Sequence, residues 1–225
     1  MNKNLLPWQI LTLLALVVPS VYLLLLWPSL PAQVPSHFAA DGQPNGYTSR
    51  ANMWLLTLAL PLGTALLFAV LPRLDPKRRL DSNSVNFQKL RLAIVLMLSS
   101  LSVYTLYTAV HPGAMSDRAI VVLVGLFLGF MGNYLTTVPP NYFVGIRTPW
   151  TLESPTVWAR TNRVCGILFC LAGLLVAGLT LVVPQAWIHT ILLVAMLGTA
   201  AFSYAYSYFV FRQEERLKGT ATPEL

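Results

Sequence analysis

The sequence predicts an all-α integral membrane protein with six transmembrane helices and both termini in the cytoplasm. Three observations carry that prediction. Hydrophobic residues make up 56% of the 225-residue chain and charged residues only 10%, a membrane composition rather than a globular one. The apolar residues gather into runs of about 18 to 24, the length that crosses roughly 30 Å of hydrocarbon as a helix. Thirteen of the fifteen lysines and arginines fall in alternate connecting segments, which sets orientation because basic segments resist translocation.

A short polar lead with Lys3 precedes the first run, Trp8 to Trp27. That run is long for a signal peptide and no small-x-small cleavage site follows it, so it reads as an uncleaved first helix. The segment from Pro28 to Ala51 is rich in turn formers (Pro31, Pro35, Gly42, Pro44, Asn45, Gly46) and reads as an ordered, non-helical loop on the outer side. The second run, Asn52 to Leu71, leads to the connector 72–91, which holds six lysines and arginines and belongs in the cytoplasm. Run three, Leu92 to Val110, is the most hydroxylated span, with Ser99, Ser100, Ser102, Tyr104, Thr105, Tyr107 and Thr108. Such hydroxyls commonly glue helices together, and the competing reading is a polar pathway.

The loop HPGAMSDR leads to run four, Ala119 to Leu135, where Gly125 and Gly129 have the spacing that draws a second helix close. Run five, Val164 to Val183, and run six, Ile188 to Phe211, close the bundle, and Arg212 onward reads as a polar tail that frays. Cys165 and Cys170 lie five apart in one run, on different sides of a helix, and read as packing residues. Three helices plus three place the second half inverted relative to the first. A trace of such a repeat survives in Val34-Pro35 and Val138-Pro139, each with a tryptophan twenty residues after the valine, Trp54 and Trp158. The domain organisation expected is residues 1–91, with two helices, the outer loop and the basic connector, and residues 92–225 with four helices, forming one structural unit.

Between runs four and five lies the stretch Gly132 to Arg163, GNYLTTVPPNYFVGIRTPWTLESPTVWARTNR. Pro139, Pro140 and Pro149 remove backbone donors, and Arg147, Glu153, Arg160 and Arg163 would be costly to desolvate, so it cannot cross as a regular helix. It belongs at the cytoplasmic interface. Ser154-Pro155 reads as an N-cap followed by proline at the first helical position, which starts the fifth long helix near 155. Arg160 and Arg163 share a face suited to lipid phosphates. Arg147, set among Gly145, Thr148, Pro149 and Trp150, is a guanidinium in a proline-bounded turn, suited to a carboxylate, a phosphate or backbone carbonyls. Asn133 and Asn141 bring amides near the membrane surface that need partners wherever they are buried.

Function classes narrow accordingly. The +7 net charge sits beside apolar runs, so no direct nucleic-acid binding is expected. No run contains Asp, Glu, Lys or Arg, and only His189, near an outer helix end, could titrate at depth, which disfavours ion-driven pumping. No Ser-His-Asp set, HExxH or paired carboxylates are present, so no enzyme is expected. His37, Asp41 and Asn45 recur every four residues, yet Gly42 and Pro44 break the helix that would align them, so neither metal nor cofactor is expected.

The run GNYLTTVPPNYFVGIRTPWTLESPTVW, with TNR after it, closely resembles the signature of the SdpI family of bacterial membrane immunity proteins. The upstream VPSHFAADGQPNGY, followed by Arg50, resembles the domain of unknown function that often precedes it. Tyr47 stands where tryptophan is common, Arg50 where lysine is, and Asn162 where a histidine often precedes the arginine. The resemblance implies motif residues Asn133, Tyr134, Pro140, Asn141, Tyr142, Gly145, Arg147, Thr148, Pro149, Trp150, Trp158 and Arg163 in the inner stretch. In the outer loop it implies Pro35, His37, Phe38, Gly42, Asn45, Gly46, Tyr47 and Arg50. It further implies a protein of the bacterial cytoplasmic membrane, in contact with the lipid bilayer, that protects against a secreted, membrane-active antimicrobial peptide on the outer side by binding or occlusion. A transcriptional repressor captured at the cytoplasmic side is a further implied partner. The alternative is a small transporter or flippase using the hydroxyl-rich third helix.

Overall fold

A computed structural model describes residues 5–38, 44–75, 80–111 and 117–220. The chain is mostly helical, and six of its helices are long and apolar enough to span a membrane. They contain α1 (Leu6–Leu26), α2 (Leu60–Leu74), which reaches spanning length only together with the irregular turns from Arg50 onward, α3 (Val85–Val110), α4 (Asp117–Leu135), α6 (Pro155–Val182) and α7 (Ile188–Thr220); a short α5 (Pro149–Glu153) precedes α6. The chain forms two compact units, one of residues 1–74 and 81–123, the other of 75–80 and 124–225.

In the first unit α1 packs along α3. The segment expected as an ordered loop is a β-hairpin, β1 (Gln33–Phe38) paired antiparallel with β2 (Pro44–Ser49). Its core comprises Leu23, Leu30, Val34, Met53, Leu106 and Ala109, with Trp27 and Trp54 packed against it. Val34 is fully buried, so the hairpin is anchored on the helices rather than free of them. A π-helical turn, Leu55–Ala59, leads into α2. Serines on neighbouring helices meet its carbonyls: Ser20 Oγ donates to Thr57 O at 3.4 Å and Ser102 Oγ to Leu56 O at 2.9 Å. Irregular backbone at membrane depth is tolerated where neighbouring groups satisfy it in this way.

In the second unit α4 packs against α6 through glycines. A Cβ added at Gly125 would lie 2.8 Å from Gly173 O, at Gly132 2.6 Å from Gly166 O, and at Gly173 2.4 Å from Gly129 N. The glycine pair Gly125 and Gly129 does draw a second helix close, and Gly132 extends the seam by nearly another turn. Cys165 is buried and both cysteines are free, in keeping with packing roles.

One expectation is corrected. Instead of fraying at Arg212, α7 continues to Thr220. Contacts that hold the extension include Glu214 with Lys218 one turn on at 2.6 Å, Ser154 Oγ donating to Glu214 Oε2 at 2.6 Å, and Arg160 Nη1 donating to Gln213 Oε1 at 3.4 Å. Lys3, Asp41, Gly42, Lys77, Arg78 and Arg79 lie outside the described residues, as does 112–116 of the HPGAMSDR loop.

Candidate functional site: a self-clamped segment before the fifth long helix

The segment from Thr136 to Ser154 carries little regular structure, yet three side chains tie it down. Asn141, 2% exposed, uses its whole amide. Its Oδ1 accepts from Phe143 N (2.8 Å) and Val144 N (2.7 Å), and its Nδ2 donates to Pro139 O and Val144 O, both at 2.8 Å. The diproline before it offers carbonyls but no N–H groups, so a side-chain amide supplies what the backbone lacks.

Trp158, 1% exposed, and Asn162, 2% exposed, lie one turn apart on α6 and fasten the segment to that helix. Trp158 Nε1 donates to Val138 O at 3.0 Å. Asn162 Oδ1 accepts from Ile146 N at 2.8 Å, while its Nδ2 donates to Trp158 O at 3.1 Å. Gly145 crosses the indole at φ +136°, where a Cβ would fall 2.6 Å from the ring. Only glycine combines that backbone angle with that approach.

Downstream, Thr148 and Thr151 form a reciprocal cap at the start of α5, with Thr151 N donating to Thr148 Oγ1 and Thr148 N to Thr151 Oγ1. Pro149 occupies the first helical position, where its missing N–H costs nothing. Trp150 packs between Tyr204 and Tyr208 of α7, ring centroids 5.0 and 5.1 Å away. Ser154 ends α5, caps α6 by accepting from Val157 N at 3.3 Å, and holds Glu214.

The structure thus brings Asn141, Gly145, Thr148, Pro149, Trp150 and Trp158 into one folded piece. Tyr142 joins through its carbonyl, which accepts from Arg147 Nη1. Arg147 is exposed and faces a backbone carbonyl, one of the three partner types its setting suited. Tyr134 is buried near the segment's start, Pro140 is half-buried, and Asn133 is exposed, its carbonyl accepting from Thr136 Oγ1 at 2.7 Å. Arg163 is exposed, outside the clamp; Arg160 reaches Gln213 of α7 at 3.4 Å.

The hairpin residues form a separate group. His37 and Gly46 oppose each other across the strands, where a Cβ on Gly46 would lie 2.9 Å from His37 Cβ. His37 Nδ1 lies 2.5 Å from Asn45 Oδ1. Arg50 stacks over the Trp27 ring at 4.9 Å and donates to Trp27 O at 3.4 Å. Pro35 is half-buried in β1 and Tyr47 exposed on β2; Phe38 ends β1. Among the described residues no group of His, Cys, Asp and Glu is placed to hold a metal ion.

Sequence reasoning named Asn162 only as a departure from a family pattern and overlooked Thr151, Ser154's hold on Glu214, and the glycine seam beyond Gly129. The signal for Asn162 was available: it follows Trp158 by four residues, so the two side chains share one helix face.

Residues 14–60 match a domain of unknown function, DUF1648, and residues 137–207 match the SdpI/YfhL protein family. The chain is 24% identical over 213 residues to "Immunity protein SdpI" of Bacillus subtilis (strain 168), covering 95% of this chain and 98% of that relative. No solved structure matches the chain. The clamped segment, α6 and much of α7 thus lie in the stretch that matches the SdpI/YfhL family model, set behind a stretch that matches DUF1648, in a chain with six helices long and apolar enough to span a membrane.

Proposed function

We propose that this protein is an immunity protein of the bacterial cytoplasmic membrane that protects its cell from a membrane-active antimicrobial peptide by binding or occlusion. The observation that carries the reading is similarity to an immunity protein along nearly the whole of both chains. In this reading both termini and the clamped segment face the cytoplasm, as the distribution of basic residues favours, and the hairpin faces outward. The hairpin meets the peptide or its target. The clamped segment presents a rigid cytoplasmic surface, with Arg147, Tyr142 and Leu152 exposed on it, through which the protein reports engagement, including by capture of a transcriptional repressor. A segment that spends its polar groups on itself can present a fixed shape, which lowers the ordering cost of binding.

The hydroxyls of α3 support this over a transport pathway. Ser102, Thr105 and Thr108 each donate to a carbonyl one turn back, the pattern of helix packing rather than of an open polar path. The test is survival of cells with and without the gene across a panel of membrane-active peptides, together with Arg147→Ala at equal abundance. Protection by the native chain that falls with the variant supports the reading. Equal survival with and without the gene across the panel refutes it.

A further inference from the structure

The first membrane span, Leu6–Ser29, ends where the second, Arg50–Leu74, begins. Trp27 closes α1 there and Trp54 lies one turn into the second span, their ring centroids 6.3 Å apart. Tryptophans gathered at span ends mark the headgroup level of a bilayer. Beside them stands Arg50, the only lysine or arginine from Asn4 to Pro72.

Arg50 is held in place while most of its donors go unused. Ser49 caps the short turn Arg50–Asn52, its Oγ accepting from Asn52 N at 3.4 Å, and the half-buried guanidinium lies over the Trp27 ring at 4.9 Å. Among the described residues its one hydrogen bond runs from Nη1 to Trp27 O, a long one at 3.4 Å. Nε and Nη2 carry further donors; they meet no acceptor among the described residues and are not enclosed. No carboxylate of those residues lies within ion-pairing distance of Arg50. One side of a fixed guanidinium fork is therefore both reachable and without a partner.

We propose that Arg50, on its tryptophan platform, binds the phosphate of a membrane phospholipid at the headgroup level. A guanidinium fork matches two phosphate oxygens, and stacking on an indole fixes its plane before the anion arrives. The source is a lipid rather than free phosphate, because about one turn deeper Leu24 on α1 and Leu58 on the second span are exposed and offer apolar beds for acyl chains. The second strand of the hairpin ends at Ser49, one residue before Arg50, so the bound headgroup ties the base of the hairpin to the bilayer surface. The site depends on neither the immunity reading nor the orientation of the chain, since the two span ends lie at the same membrane face whichever way the chain inserts.

The experiment uses the full chain in a phosphate-free maltoside detergent, with a photoreactive residue at Asn52, exposed two residues from Arg50, or at Leu66, exposed on α2. The probes are phosphatidylglycerol and the diacylglycerol with the same acyl chains, which lacks the phosphate, supplied together in equal amounts. Mass spectrometry reads the adducts. At Asn52 the ratio of phosphatidylglycerol to diacylglycerol adduct should exceed the ratio at Leu66 about tenfold, the scale of one hydrogen bond to a charged group. Arg50→Gln, which keeps a donor for Trp27 O, should bring the Asn52 ratio down to that at Leu66, and Arg50→Lys should restore most of the preference, as a merely structural arginine would not. Inorganic phosphate at the concentration of the lipids should leave the adducts unchanged. Equal ratios at the two positions in the native chain overturn the proposal whatever the variants do, and so does a preference that survives Arg50→Gln. Loss of the phosphatidylglycerol adduct to inorganic phosphate would mark a site for the free anion and overturn the choice of a lipid.

Discussion

Asn141 and Gly145 show what the central segment's residue types are for. Asn141→Ala removes four hydrogen bonds and leaves two amides without their acceptor; a loss of about 2–4 kcal/mol is expected, since each buried donor left unsatisfied costs about 1–3. Asn141→Asp keeps the acceptor oxygen but turns a buried second oxygen toward the carbonyls of Pro139 and Val144, so it should cost at least as much as alanine. Gly145→Ala meets both a positive φ and the Trp158 ring and should cost about 1–3 kcal/mol, the range for strained backbone. Thermal unfolding of the purified chain in detergent reads all three. Alanine variants that melt like the native chain would mean that the clamp does not hold the segment. Part of this was legible beforehand: diproline and positive charge marked a segment that does not cross as a helix, and Arg147 lay in a turn that suited it to carbonyls. That Asn162 shares a helix face with Trp158 was legible from their spacing; its partner was not, because Ile146 N is sixteen residues away and no local pattern shows a contact of that range.

At the scale of elements, helix boundaries followed from chemistry that acts within a few residues. Ser154 and Pro155 start α6 as their cap and first-turn preferences predict. The far end of α7 did not follow. A polar sequence there reads as a fraying tail until Ser154 and Arg160 of the second unit reach Glu214 and Gln213. Ser154→Ala removes the cap and the hold on Glu214 together. It should cost about 1 kcal/mol and make residues 212–220 more susceptible to protease, and unchanged proteolysis there would mean that the extension stands without Ser154. The α4–α6 seam makes a second prediction. Gly132→Ala and Gly173→Ala place a methyl group against backbone at 2.2–2.6 Å and should destabilise the chain strongly. Gly178→Ala and Gly198→Ala meet nothing within 4 Å and should be neutral or stabilising by about 0.5–1 kcal/mol, as expected for glycine replaced in a helix. A common effect at all four sites would deny the seam its close packing.

For the whole molecule, the six-helix membrane architecture was readable because hydrocarbon thickness imposes a run length that composition reveals directly. The hairpin was visible only as an ordered loop; its pairing depends on a register with irregularities on either side of His37, which turn-forming residues alone do not specify. Orientation remains a proposal with a direct readout. Single cysteines placed at Tyr47 and at Leu152, both exposed, in a chain lacking Cys165 and Cys170, should differ in labelling by a membrane-impermeant reagent added to intact cells. Tyr47 should label and Leu152 should not, and the opposite pattern would invert the topology.

The central claim is that the clamped segment is a folded recognition surface and more than a tether between α4 and α6. It is tested most directly by replacing residues 137–153 with a glycine-serine linker of equal length and measuring survival under peptide challenge, once membrane insertion and abundance are shown to match the native chain. The account predicts that protection is lost. Undiminished survival would contradict it.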